Sequence, residues 1–280
     1  MRKAFGLLIW ALPLGIYSTD ALAWGLYTHV YFAQLLIFTI PLADARFRRA
    51  VQRFPDLLLA GACLPDTSLF NRFAGVPELR STHQWSIARR MLAQGADDES
   101  RALAVGYASH LLADVIAHNY FVPEHESRWF DCPVVTHAAS EWAMDAHVAA
   151  QLLATPGDLL RRHRVRLARH AASFIKCTER SAASALTWLD HGERFLRETG
   201  SPRTVRFAAG ACDASTRRRL DHYASETSRC LEQIDRMIAG ERPAWKAEPN
   251  RRALGANAVG RHDETPLPRD LFQRAATRAS

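Results

Sequence analysis

Apolar residues recur along the chain at helical spacing, in stretches bounded by proline, glycine and short polar runs. Few of them alternate with the period of two that a half-buried strand requires. The pattern predicts helices near residues 28–42, 45–62, 84–95, 99–121, 137–154, 157–178, 181–198 and 214–239, with loops around 65–77, 123–133 and 200–213. No stretch reads as a sheet and no solenoid-length repeat stands out, so the expected fold is all-α, a single multi-helix domain. On one strongly apolar helix, Leu111, Leu112, Val115 and Ile116 flank His110, Asp114 and His118. Residues four apart share a helix face, so these three project together, as do His137 and Glu141 in the next helix. A carboxylate buried on an apolar helix is costly unless something satisfies it, and a metal ion is the simplest partner. Imidazole and carboxylate are the ligands of catalytic zinc, and five such groups exceed what one tetrahedral ion with an open position needs.

Composition changes this picture at the two ends. Arg2 and Lys3 precede an apolar run from Ala4 to Tyr17, and Ala21-Leu22-Ala23 supplies small residues at the cleavage positions. That reads as a secretory signal peptide over residues 1–23, leaving Trp24 as the mature N-terminus and an exported protein, periplasmic or secreted. Residues 24–240 form the helical domain. The stretch 241–280, with Pro243, Pro249, Pro266, Pro268 and scattered arginines, predicts a flexible basic tail. The net charge of +7 comes from 36 Lys and Arg against 29 Asp and Glu, a balance that tolerates anionic partners. The arginine-rich run 161–170 suits either a solvated helix face, the preferred reading, or contact with anionic lipid. Five cysteines, at 63, 132, 177, 212 and 230, leave at least one thiol over; Cys63 reads as a buried apolar filler.

Trp24, His29, the turn Gly61-Ala-Cys-Leu-Pro-Asp66, Ser81-Thr-His83, the His110/Asp114/His118 helix and the His137/Glu141 helix together resemble the bacterial zinc-dependent phospholipase C family. That family is related to the S1/P1 nucleases and to the N-terminal domain of glycosylphosphatidylinositol-specific phospholipase D. The resemblance spans roughly residues 24 to 150 and implies three Zn²⁺ ions. One would be held by the amino and carbonyl groups of Trp24 with His29 and Asp114. A second would use Asp66, His83, His110 and the same Asp114, and a third His118, His137 and Glu141. Six positive charges against three carboxylates leave an excess that suits a phosphate ester. The implied reaction is hydrolysis of a phospholipid to diacylglycerol and a phosphorylated headgroup by metal-activated water, with Asp66 as general base.

The chain departs from the choline-preferring members of the family. Their headgroup pocket uses a Glu, a Tyr and a Phe at places that here hold Tyr27, Thr67 and Arg80, so a choline cage is not expected. The alternative is an S1/P1-like nuclease acting on single-stranded nucleic acid, favoured by the five-residue step from Trp24 to His29. Against it, this chain runs straight from Asp114 to His118, without the nucleases' His-Gln-Pro-Leu-His sequence, and its last ligand is Glu141 where theirs is typically Asp. A third reading, a zinc-stabilised binding protein without catalysis, needs fewer ligands than are present. The expected partner is a phospholipid, with peripheral contact to a membrane surface; no protein partner is inferred.

Overall fold

The computed structural model describes residues 25–129, 133–247 and 267–273. The signal-peptide stretch, Trp24 and Cys132 lie outside them. Helices make up the fold: α1 (Leu26–Phe38), α2 (Ala45–Arg53), α3 (Pro55–Gly61), the single turn α4 (Asn71–Ala74), α5 (Trp85–Gln94), α6 (Asp98–Ile116), α7 (Val122–Arg128), α8 (Pro133–Val148), α9 (Pro156–Phe174), α10 (Glu179–Thr199), α11 (Ser201–Cys212), α12 (Thr216–Leu231) and α13 (Ile234–Ile238). Among the described residues there is no strand, and no helix is long and apolar enough to cross a membrane. The architecture is all-α, as the periodicity predicts.

The centre of the fold is α6. Every residue from Ala102 to Ile116 is buried, and α1, α2, α3, α5 and α12 pack around it. A helix enclosed on all sides carries no polar face, which is why His110 and Asp114 stand out in its sequence. Its start is fixed locally by Asp97, whose carboxylate accepts from the Ser100 N–H at 2.7 Å, with Asp98 and Glu99 in the first turn. Close approach of α3 needs two glycines. A Cβ on Gly106 would stand 2.0 Å from the Leu58 carbonyl oxygen, and one on Gly61 would stand 2.5 Å from that of Leu103.

Several expected boundaries are corrected, mostly at prolines. The helix expected over 45–62 is two helices, because Pro55 has no N–H to continue the ladder and opens α3. The loops expected at 123–133 and 200–213 contain α7 and α11. Pro123 and Pro202 sit in the first turns of these helices, where a missing N–H costs nothing. Gly200, at φ 65°, supplies the left-handed turn between α10 and α11. The loop at 65–77 likewise carries a 3-10 turn, Pro65–Phe70, followed by α4. Part of the tail expected to be flexible packs on the helices: the Trp85 indole donates to the Trp245 carbonyl at 2.7 Å, and Ala247 and Leu271 are buried. The described cysteines, Cys63, Cys177, Cys212 and Cys230, are all free thiols, and Cys63 is fully buried.

Candidate metal centre

Four elements bring chemistry to one buried point. The first turn of α1 carries His29, the segment after α3 carries Asp66, the segment before α5 carries His83, and α6 carries His110 and Asp114. All five side chains are buried. Asp114 stands in the middle. Its Oδ1 lies 3.3 Å from His29 Nε2, and its Oδ2 lies 3.1 Å from His110 Nε2 and 3.5 Å from His83 Nε2. Asp66 Oδ1 lies 3.7 Å from both His83 Nε2 and His110 Nε2. The His29 and His110 rings stack with centroids 3.4 Å apart.

The outer nitrogens fix how these rings present themselves. His110 Nδ1 lies 2.7 Å from the Ala62 carbonyl oxygen, which only accepts, so the proton sits on Nδ1 and the Nε2 lone pair points inward. Thr82 Oγ1 donates to the Pro65 carbonyl at 2.7 Å, leaving its lone pair for His83 Nδ1 at 3.3 Å. Tyr107, deep in the core, donates its hydroxyl to the Thr82 carbonyl and holds that segment in place. The Nε2 atoms of His83 and His110 then face each other at 3.2 Å as two acceptors. Both oxygens of Asp114 are buried without a hydrogen-bond donor, and burial raises its carboxyl pKa above the usual range while the nearby imidazoles oppose that shift. Acceptors that converge in this way need a cation between them. Ligands about 2.0–2.1 Å from a tetrahedral zinc lie roughly 3.3 Å from one another, close to the spacing found here, so the residues fit the metal.

The remaining predicted ligands form a second group. Helix α6 gives way at Ala117 to a π-helical turn, Ala117–Phe121. His118 lies on this turn, and its ring centroid is 5.6 Å from that of His137. His137 Nε2 is 2.7 Å from Glu141 Oε1, and all three residues are buried. The spacing alone puts His118 on one face with His110. Eight residues of rise, about 12 Å, nonetheless keep these two histidines from sharing an ion.

Three positioning groups were invisible in the sequence. Asp145 on α8 accepts from the Thr28 N–H at 2.9 Å and the Thr28 hydroxyl at 2.7 Å, capping α1 from another helix and fixing the turn that carries His29. Burial pushes its pKa up to about 7, partly offset by these bonds. Gly25 is required beside it, since a Cβ there would stand 2.1 Å from Asp145 Oδ2. The third group is Glu193 on α10. Tyr27 donates its hydroxyl to Glu193 Oε1 at 2.6 Å, which places a buried carboxylate directly beside Tyr27. Nothing in the local pattern around Glu193 or Asp145 separates them from solvated helix positions.

A cavity of about 100 Å³ adjoins the cluster, lined by Asp66 and Glu141 together with Tyr27, Phe70, Trp142 and Glu193. Phe70 reaches this cavity, whereas Phe121 is core. Arg80 donates to Asn71 Oδ1 at 3.4 Å, and Thr67 is buried with its hydroxyl donated to the Leu64 carbonyl.

No curated protein and no solved structure matches the chain. A family model described as zinc dependent phospholipase C matches residues 28–192, a span that includes His29, Asp66, His83, His110, Asp114, His118, His137 and Glu141. With more than half of its length inside that match, and buried imidazoles and carboxylates converging as a zinc site requires, the chain belongs to the zinc-dependent phospholipase C family.

Proposed function

We propose that the mature, exported protein hydrolyses the phosphodiester of a phospholipid, giving diacylglycerol and a phosphorylated headgroup. The observation that carries the reading is the convergence of three imidazole nitrogens on the buried Asp114, next to a cavity that Asp66 also lines. The reading takes three zinc ions. Trp24, through its amino and carbonyl groups, would hold the first with His29 and Asp114. Asp66, His83, His110 and Asp114 would hold the second, and His118, His137 and Glu141 the third. When bound, the zinc supplies positive charge for the phosphate oxygens and lowers the pKa of water toward about 7.

The protein's own residues do the rest. Asp114 serves two sites with one carboxylate, one oxygen toward His29 and the other toward His83 and His110. The Ala62 carbonyl and Thr82 hold two rings in the tautomer that offers Nε2, so no proton has to be lost from those nitrogens for them to act as ligands. Asp66 faces both the histidines and the cavity, which suits a carboxylate that takes a proton from the attacking water. Tyr27, Phe70 and Trp142 give that space apolar walls, which strengthens every charge interaction inside it.

The test is a substrate panel on zinc-loaded protein beginning at Trp24. Release of diacylglycerol and phosphorylated headgroup from phospholipid vesicles, abolished by chelator and restored by zinc, is the expected result. Efficient cleavage of single-stranded DNA or RNA with intact vesicles would replace this reading with the nuclease.

A further inference from the structure

We propose that the face formed by α11 and the start of α12 docks the protein on an anionic lipid surface and opens directly onto the cavity beside the metal centre. The proposal rests on the phospholipase reading. A groove of about 950 Å³ runs from that cavity, sharing Tyr27, Ala146, Ala149, Arg197 and Arg203 with it. The first space suits a headgroup; the second has room for acyl chain. Its lining is apolar at Ala146, Ala149, Ala150, Ala211 and Leu220 and carries the exposed Arg203, Arg206 and Arg217.

These three arginines have no carboxylate partner among the described residues. Arg206 bonds to the Ala146 carbonyl at 3.3 Å, while the acids nearby are already taken. Glu193 is held by Tyr27 and Arg197, Asp213 lies 2.7 Å from Arg219, and Asp221 lies 2.8 Å from His147. The arginine-rich α9, which the sequence offered for the same role, is different. Its Arg161, Arg162, Arg166 and Arg169 pair with Asp158 and Asp190, Asp56, Glu99 and Glu179 respectively, as the solvated-face reading expects.

Phe207 gives the face an apolar anchor. At 80% it is the most exposed large apolar side chain of the described residues, one turn from Arg203 and adjacent to Arg206. An aromatic standing out of a preformed helix between arginines is the composition of an interfacial helix. A groove for single-stranded nucleic acid would instead need several aromatic faces for stacked bases, and the aromatic residues of this lining are Phe207 and Tyr27. The anionic lipids that hold the surface are separate from the lipid that is hydrolysed.

The test compares wild-type protein with an Arg206→Gln/Arg217→Gln/Phe207→Ala variant, all three exposed and outside the metal centre. Binding of the zinc-loaded proteins is measured by co-sedimentation with vesicles of a non-hydrolysable phosphonate analogue of phosphatidylcholine, alone and with about a third of the corresponding phosphatidylglycerol analogue, so that no lipid is consumed. Each basic residue contributes about fivefold to such binding, so the two arginines alone account for roughly 25-fold. The expected result is wild-type binding that depends on phosphatidylglycerol, a loss of at least that size in the variant, and equal zinc content and helix content in both proteins. Equal binding to the two vesicles, or a variant that binds as wild type does, overturns the proposal. So does tighter binding of a single-stranded oligonucleotide through the same residues. If neither protein hydrolyses any phospholipid while the binding difference persists, the phospholipase reading fails and the docking surface stands.

Discussion

Gly106→Ala sets helix propensity against packing with opposite signs. In a helix interior alanine is favoured over glycine by about 1 kcal/mol, so propensity alone gives a more stable protein. At position 106 the added methyl would stand 2.0 Å from the Leu58 carbonyl oxygen and 2.9 Å from the Ala62 nitrogen, both backbone atoms that no rotamer change can move. Restoring an ordinary C···O contact of about 3.3 Å pushes α3 and α6 apart by roughly 1.3 Å. The bond from His110 Nδ1 to the Ala62 carbonyl, 2.7 Å long and spanning the same two elements, would stretch toward about 4 Å and cease to exist. Overpacking costs about 1–3 kcal/mol and a stranded buried partner about 1–3 more. Net of the propensity gain, the variant should be less stable by about 3 kcal/mol. In a chain of this size that lowers Tm by roughly 6–12 °C. Calorimetry gives the stability, and a zinc titration reports the His110 tautomer, because a freed ring loses its preset lone pair. Gly210→Ala is the internal control: nothing lies within 4 Å of a Cβ there, so the same substitution should be neutral or stabilising by up to about 1 kcal/mol. A Gly106→Ala protein at least as stable as wild type, with unchanged zinc affinity, would refute the packing argument.

Other outcomes follow from the same geometry. Gly25→Ala should force Asp145 off the start of α1 and weaken zinc binding at least tenfold, read by competition with a chelating dye; unchanged affinity would remove Asp145 from the positioning role. Retaining one extra Ala before Trp24 turns its amine into an amide with no available lone pair, so the extended protein should hold less zinc and turn over more slowly than the protein beginning at Trp24. Burial holds the His170 pKa down to about 4, so between pH 6.5 and 4 the unfolded chain takes up a proton that the folded protein refuses. Stability is therefore full above pH 6.5 and falls as the pH drops toward 4, by about 2 kcal/mol at pH 5 from this residue. Urea unfolding at pH 7.5 and pH 5 should show His170→Leu losing that much less than wild type, and equal losses would contradict the burial assignment.

The legible part of the site is the part that local periodicity can encode. His110 and Asp114 are four apart on a helix so apolar that any polar residue needs a reason, and His137 and Glu141 repeat the spacing. What joins these helices is tertiary and left no local trace. The Ala62 carbonyl that orients His110, the carboxylate of Asp145 that caps α1 from α8, and Glu193 beside Tyr27 all act across more than forty residues of chain. Proline moves the boundaries in both directions. Pro55 divides the helix expected over 45–62, whereas Pro123 and Pro202 lie in the first turns of helices in segments that read as loops. The loop reading at 200–213 conceals α11, and with it the cluster of Arg203, Arg206 and Phe207. The π-helical turn at Ala117 could not be anticipated from spacing either.

In the proposed function Asp114 bridges two of three zinc ions at a hydrolytic centre. The direct measurement is the zinc-to-protein ratio of the protein beginning at Trp24, by elemental analysis, for wild type and Asp114→Asn, alongside turnover of a phospholipid. Helix content by circular dichroism serves as the check that the variant is folded. Three zinc ions are expected in wild type and no more than one in Asp114→Asn, held by His118, His137 and Glu141, with loss of turnover. A folded Asp114→Asn protein with the full zinc complement and wild-type turnover would contradict the bridging role.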